Sequence, residues 1–544
     1  MDTVGSGCMS CSIPGMEDAG CIFLFGYNPA DSHPIVARRI VRAKEKGCKI
    51  IVADPRHIET ARIADLYLPI KNGCNVAFLN AFANCLVNDG LYDKEFVAEH
   101  TNGFDEWWET IKNYTPESVQ DITGVEPALI HQAAEMYATA KPSAIIGWGM
   151  GVCQQKQKTV HTIASIACVA GQIGKPNSGL APVRGQNNVQ GSCDMGMLPN
   201  LYPGYQKVTD PAVRAKFAKA WGVPEEKLPL EEGYKLTDLG HLVDEGKVHC
   251  FYNYGEDPVQ TEPDSAGMRK TLSELDLFIC QDIFMTQTTM LADVILPATS
   301  WGEHEGVFTA SDRSFQHFDA AVPPKGECRH DWEIFADLST RMGYPMHYDN
   351  TEQIWNECIS LCPNFVGATY EKMAPEGGYA QWPVKSTDVN DHGTPDMFAG
   401  GKFTTKDGRA NLMAHDWEAP SELPDDEYPL ILCTVREVGH YSCRSMTGNC
   451  KTLALLADEP GFVRMNPADA QARGIKNGDI VCFVTTVKGL DISHVGIICR
   501  EGDKLTFIHA STTKKRVIVN EEPLQEYVQG IKRNCGIMIV RPQF

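Results

Sequence analysis

CIFLFGYNPADSHPIVARRIVRAKEKGCKIIVAD, residues 21–54, decides the fold. Residues 21–25 are a short apolar run closed by Gly26, the pattern of a strand buried on both faces. The turn Asn28-Pro29-Ala30-Asp31-Ser32-His33-Pro34 follows, where Asp31 or Ser32 can cap a helix that has Pro34 in its first turn. Residues 35–46 predict an amphipathic helix with a basic face, ended by Gly47. Residues 48–53 are a second apolar strand, and Asp54 stands at its C-terminal end. This is a βαβ unit, and an acid at that strand end often holds a ribose or base edge. The competing reading of Asp54 is a solvated acid. No G-x-G-x-x-G follows the first strand, so an ordinary nicotinamide site is not indicated.

Working outward, the unit recurs. The first copy continues into ADLYLP (64–69), then Lys71-Asn72-Gly73 and another helix. After Gly246 come a strand over 248–252, the turn Gly255-Glu256-Asp257-Pro258 and a polar helix over about 264–275. A strand over 277–280 closes on Gln281-Asp282 and is followed by ADVILP (292–297). A repeated nucleotide-binding half implies two similar sites in one chain, although any doubly wound protein repeats βαβ. The expected class is α/β, with two doubly wound, dinucleotide-binding-like units of mostly parallel strands. Between the halves, residues 144–148 predict a strand ending in Gly149-Met150-Gly151. A strand over 428–435 opens a separate β domain. The expected boundaries are 1–185, 186–363, an irregular Gly-, Pro- and Asp-rich connection over 364–427, 428–478, and a divergent tail over 479–544.

At 544 residues the chain has room for several cores. Its net charge of −21 argues against a nucleic-acid or anionic-membrane partner. No segment approaches an uninterrupted membrane span, and no basic-then-apolar leader opens the chain. Twenty cysteines without a framework fit a reducing cytoplasm. Cys8 and Cys11 form a lone CxxC without a second pair, and His304-Glu305 lacks the second histidine of HExxH, so no metal site is assigned to either.

The polar, glycine-rich stretch APVRGQNNVQGSCDMG (181–196) is too polar for a core strand and too glycine-rich for a stable helix. It reads as a rigid loop bringing donors to an anion, with Arg184 as a planar fork for a carboxylate or phosphate. The alternative is a surface loop with one solvated arginine.

These stretches also carry a resemblance. PVRGQNNVQGSCDMGMLPNLYPGYQ (182–206), FGYNPADSHP (25–34), DPRHIETARIAD (54–65), WGMGVCQ (148–154), EDPVQT (256–261), SWGEHEGVFTASDR (300–313) and TVREVGHYSCRSMTGNC (434–450) resemble molybdenum- or tungsten-dependent formate dehydrogenases. These are members of the molybdopterin oxidoreductase superfamily. The resemblance implies oxidation of formate to carbon dioxide, reversible in principle, at one metal held by two molybdopterin guanine dinucleotides. It places Asn28, Asp54, Arg56 and Gly73 on the first nucleotide and Gly149, Met150 and Gln154 on its pterin. Gly255, Gln281, Asp282 and Thr286 fall on the second nucleotide, joined by Arg436, Glu437, His440 and Ser442. Arg184 would orient formate, with Gln186 and Asn187 as neighbours fixing the loop.

The same resemblance implies a [4Fe–4S] domain, a lysine, a selenocysteine or cysteine metal ligand and a histidine upstream of Val4. The expectation is that Met1 is a restart after a selenocysteine codon and that this chain alone is inactive. Iron–sulfur electron-transfer or hydrogenase subunits are the implied partners. From about residue 479 the sequence instead resembles the tail of an amidase-like family related to NlpC/P60 peptidases, with His494 as base, His509 as neighbour and no upstream nucleophile. A truncated β-barrel-like domain over 428–478 followed by a loosely packed tail without cofactor ligands is therefore expected. The rival readings are an electron-transfer or scaffold subunit without metal chemistry and, from the tail alone, a cell-wall hydrolase.

Overall fold

The computed structural model describes all residues except 427–428, 434–438, 443, 457–465, 473–478, 486–491, 502–503, 512–515, 520–521, 525, 528–533 and 541–544. At 150, 153, 154 and 156, and along most of the tail, only the backbone is described. The chain divides into two units: Met1–Gly233 with His304–Ala321 and Met346–Arg436, and Tyr234–Glu303 with Val322–Pro345 and Glu437–Phe544.

The first unit is built on five parallel strands in the order Leu66–Leu68, Lys49–Ala53, Cys21–Phe25, Ala144–Trp148, Gly179–Pro182. Alternation explains the uninterrupted apolar run at 21–25. Ile22 and Leu24 pack with Val36 and Ile40 of the helix Pro34–Glu45. On the other face Phe23 and Phe25 stack on Phe82 and Phe78, at 5.4 and 5.8 Å between ring centroids. The helix Asn75–Asn88 that supplies these rings is buried on every side from Asn75 to Leu86, which is why it shows no polar stripe. Strand order reverses between Cys21–Phe25 and Ala144–Trp148, so the crevice beyond their C-terminal ends is a topological switch point.

The second unit repeats the plan with three parallel strands, Val294–Pro297, Leu277–Asp282 and Cys250–Tyr254. The predicted strand over 248–252 thus sits two residues later. The repeat extends to individual hydrogen bonds. Gly26 (φ +55°) donates to Ala53 O at 2.8 Å, and Gly255 (φ +62°) to Gln281 O at 2.9 Å. In the two ADxxLP echoes, Asp65 Oδ2 accepts from Ile50 N and Asp293 Oδ2 from Phe278 N, each at 2.8 Å. The repeated aspartate therefore ties the third strand to the second.

Several expected boundaries do not hold. No break falls at 185/186, since Gly179–Pro182 and the helix Val189–Asp194 belong to one unit. The connection at 364–427 is woven into that unit up to residue 426, where description pauses. Ala410–Asn411 pairs in parallel with Thr101–Asn102, Ala380–Gln381 pairs with Ser314–Phe318, and Asn80 Nδ2 donates to His415 O at 2.9 Å. Glycine and proline content marked this segment as irregular, but its order comes from contacts distant in sequence. Of the strand predicted at 428–435, the described residues 429–433 form none. Leu430, Ile431 and Leu432 are exposed there, apolar but unpaired.

The tail forms an antiparallel sheet in the order Arg516–Val519, Lys504–Ser511, Ile492–Glu501, Asp479–Thr485, Asn534–Val540. Its first and last strands are not paired with each other. The truncated β-barrel-like domain is expected earlier in the chain, over 428–478, where the described residues form short helices and no strand. Buried Phe507 packs edge-on against Tyr527. Among the described residues, no helix is long and apolar enough to cross a membrane.

Candidate functional site

The switch point of the first unit is lined by backbone. A Cβ on Gly149 would lie 3.0 Å from the Tyr27 ring and 3.3 Å from Gly26 O, and one on Gly151 would lie 2.8 Å from Gly26 Cα and O. Only glycine lets the loops after the two central strands meet this closely. Asn75 Nδ2 donates to Gly151 O at 3.0 Å, so the helix Asn75–Asn88 braces the same loop with its first residue.

Asp54 is buried, and Oδ1 accepts the Arg56 N–H at 2.9 Å. Burial pushes its carboxyl pKa up, while that N–H and the Arg56 charge pull it down. Its other oxygen has no protein donor among the described residues, and neither does the Arg56 guanidinium have an acceptor. Asn28 Nδ2 donates to Asp31 at 2.7 Å and to Glu59 at 3.0 Å, which fixes the turn beside Asp54. Gly73 has φ +81°, its carbonyl accepts from Trp417 Nε1 at 2.9 Å, and any Cβ there would strike Pro420. Asp54, Arg56, Asn28 and Gly149 thus gather beside one sheet edge. Met150 and Gln154 lie in the short helix Met150–Gln155, and their side chains are outside the described residues. The neighbouring Gln155 holds Val76 N at 2.8 Å and Glu418 O at 3.0 Å, a bracing contact the sequence did not flag.

In the second unit Asp282 repeats Asp54: Oδ1 accepts the Phe284 N–H at 2.9 Å, and burial raises its carboxyl pKa. Gln281 is fully buried, and its amide is engaged by the Tyr252 hydroxyl and, at 2.6 Å, by Asp331. Its side chain holds the strand end, leaving Asp282 as the outward group. Thr286 Oγ1 accepts from Thr289 N at 3.1 Å. Buried His440 reaches Thr447 Oγ1 through Nδ1 at 2.9 Å, and Ser442 is exposed with φ +50°. Arg436 and Glu437 lie outside the described residues.

Arg184 leaves the end of the strand Gly179–Pro182 and is fixed at both backbone groups. Its N–H donates to Ser311 Oγ at 2.9 Å, and its carbonyl meets His33 Nε2. Its guanidinium touches Gln190 Oε1 and Gly7 O, both at a long 3.4 Å, so most of its donors remain for an incoming anion. Gln186 and Asn187 are exposed and make no hydrogen bond among the described residues. The loop-fixing work expected of them falls to Asn188 and Gln190. Asn188 has φ +62° and accepts Thr309 N at 2.9 Å, while Gln190 donates to Asp194 at 2.8 Å and to Tyr205 at 2.7 Å. Asp194 also accepts from Trp382 Nε1 at 2.9 Å, and burial pushes its carboxyl up to about 6. The i,i+4 spacing of Gln190 and Asp194 on a helix was the available signal.

Cys8 and Cys11 are both buried: Cys8 Sγ lies 3.9 Å from Met397 Sδ, and Cys11 donates to Leu180 O. Burial pushes the Cys11 thiol up to about 12.

In the first unit the donor set suits a pterin guanine dinucleotide, and in the second Asp282 is the described group of the same kind. A carboxylate with one oxygen in reserve suits the paired N–H donors of guanine, a guanidinium without an acceptor suits pyrophosphate, and a glycine-lined crevice admits a flat fused ring.

The molybdopterin oxidoreductase family profile matches residues 1–341, and an N-acetylmuramoyl-L-alanine amidase-like profile matches residues 452–537. Formate dehydrogenase H of Escherichia coli (strain K12) is 54% identical over 497 residues, covering 91% of this chain and 69% of that one. The F420-dependent formate dehydrogenase 1 subunit alpha of Methanococcus maripaludis is 40% identical over 522 residues, covering 95% of this chain and 75% of that one. Among solved structures, acetylene hydratase from Pelobacter acetylenicus has a TM-score of 0.66 at 22% identity, over 89% of this chain and 69% of that one. That likeness shows a shared fold.

Proposed function

The chain belongs to the molybdopterin oxidoreductase family, and we propose that it oxidises formate to carbon dioxide, as the names of its relatives indicate for them. The observation that carries this reading is Arg184, a guanidinium on a loop locked by Ser311, His33 and Asn188 yet lightly held at its own donors. A planar fork of this kind orients a small carboxylate and offsets its charge. Asp54 with Arg56 in one unit and Asp282 in the other would each hold a guanine dinucleotide. The molybdenum or tungsten bis(pterin guanine dinucleotide) centre, when bound, takes the two electrons released as formate becomes carbon dioxide and a proton. Iron–sulfur electron-transfer or hydrogenase subunits would carry those electrons onward.

Formate-dependent reduction of a dye by the native enzyme, compared with Arg184→Lys, tests the proposal. The expected result is loss of most of kcat/KM at unchanged pterin content, since one ammonium cannot reproduce the fork. Equal kcat/KM in a metal-replete variant would overturn it.

A further inference from the structure

Away from the switch point, at the C-terminal end of the helix Asn75–Asn88, three side chains of different chemistry converge. The Cys85 thiol, the Asp89 carboxylate and the His131 imidazole offer one ligand atom each, and these atoms lie within 4.8 Å of one another. Cys85 sits in the last turn of that helix, Asp89 is its C-cap, and His131 comes from the facing helix Pro127–Ala138. Cys85 is fully buried, while Asp89 and His131 open to solvent and meet at 2.6 Å between Oδ2 and Nδ1. The cluster thus has a closed sulfur side and an open oxygen and nitrogen side.

Electrostatics at this corner call for a cation. The C-terminal end of a helix carries partial negative charge, which an acidic cap aggravates. The last turn contains no basic residue to offset it. Burial pushes the Cys85 thiol up, and the charges of Asp89 and Glu117 add to this. Nothing in the proposed oxidation of formate uses these residues.

We propose that Cys85, Asp89 and His131 form a binding site for a zinc-like divalent cation that clamps the helices Asn75–Asn88 and Pro127–Ala138 together. One thiolate, one imidazole and one carboxylate make a ligand set for zinc, with water in the fourth position. Tetrahedral bonds of about 2.0–2.3 Å place ligand atoms about 3.3–3.7 Å apart, so the imidazole and carboxylate need only separate slightly from their hydrogen-bonded distance. As the metal–sulfur bond forms, the Cys85 proton passes to solvent, so uptake weakens as pH falls. The clamp closes one end of the helix whose other end braces Gly151, which makes its role structural.

Cobalt titration of the full chain, freed of metal with a chelator, tests the site without any turnover of formate. Wild type is expected to take up one equivalent of Co²⁺ with a near-ultraviolet thiolate-to-cobalt charge-transfer band that Zn²⁺ abolishes. Cys85→Ser should lose the band, whereas Cys250→Ser, which alters an exposed cysteine elsewhere, should keep it. His131→Gln should weaken binding at least about tenfold while leaving the unliganded protein folded by circular dichroism. Added Zn²⁺ should raise the melting temperature of wild type and not that of His131→Gln. Absence of the band in wild type, or a band that survives Cys85→Ser, would overturn the assignment.

Discussion

Asp54 and Asp282, 228 positions apart, make the same hydrogen bond at the same place in two separate parallel sheets. Each accepts through Oδ1, at 2.9 Å, the N–H two residues ahead, and on the proposed reading each also meets a guanine edge. Asparagine has a single acceptor oxygen, so Asp54→Asn or Asp282→Asn can serve the loop N–H or a guanine edge but not both. A charge-assisted hydrogen bond is worth about 1.5–3 kcal/mol, so either variant should bind its nucleotide roughly 10- to 100-fold more weakly. Guanine and pterin released per chain on denaturation measure this. A variant with full content at limiting cofactor supply would remove that residue from the site.

The ADxxLP aspartates should behave differently. Asp65 and Asp293 hold the backbone of the neighbouring strand, not a ligand. Asp65→Ala or Asp293→Ala leaves a strand N–H without its acceptor, a loss of about 1–3 kcal/mol. The expected outcome is a melting transition several degrees lower with unchanged nucleotide content at low temperature. Loss of nucleotide without loss of stability would assign these residues to the ligand instead.

Asp194 gives the Arg184 loop a pH dependence. Its carboxyl is held at about 6 against an ordinary 3.8, because burial penalises the charge more than Gln190 and Trp382 offset it. The folded state therefore binds this proton more tightly than the unfolded chain. The stability it contributes is complete below about 3.8 and is lost as pH rises through about 6, up to roughly 3 kcal/mol. The stability difference between wild type and Asp194→Asn, followed by denaturant unfolding from pH 4 to 7, should move against wild type as pH rises. A constant difference would show that Asp194 titrates normally.

What could be read from sequence follows from how each part is held together. The strand at 21–25 and its repeat at 277–280 announce themselves because burial on both faces demands continuous apolar runs. Asp54 and Asp282 could be placed at strand ends from sequence, while their assignment to a nucleotide came from the resemblance. Gln190 and Asp194 left only their i,i+4 spacing as a signal, since what marks the pair as buried is Trp382, which arrives from 188 positions away. The connection at 364–427 carries little regular structure, and its anchors had no local signal: Thr101 and Ser165 among them lie some 250–310 positions away. At 428–435 local apolarity suggested a strand, and the described residues 429–433 form none.

The tail offers the last test. Among the described residues its five strands pair with one another, in a register that begins at Asp479, and the segment matches a family different from the one that matches residues 1–341. None of the residues placed on the nucleotides or on formate lies beyond Ser442. Trypsin has candidate sites at Lys476 and Lys488, on either side of the strand Asp479–Thr485. It also has one at Arg184, in a loop with three exposed residues after it. Cleavage requires the chain to leave its anchors, and Arg184 is held at N by Ser311 and at O by His33, with Asn188 closing the loop onto Thr309. We expect the first cut within 476–488, giving an N-terminal product that retains its pterin. A first cut at Arg184, or loss of pterin when the tail is released, would show instead that the tail is an integral part of the cofactor site.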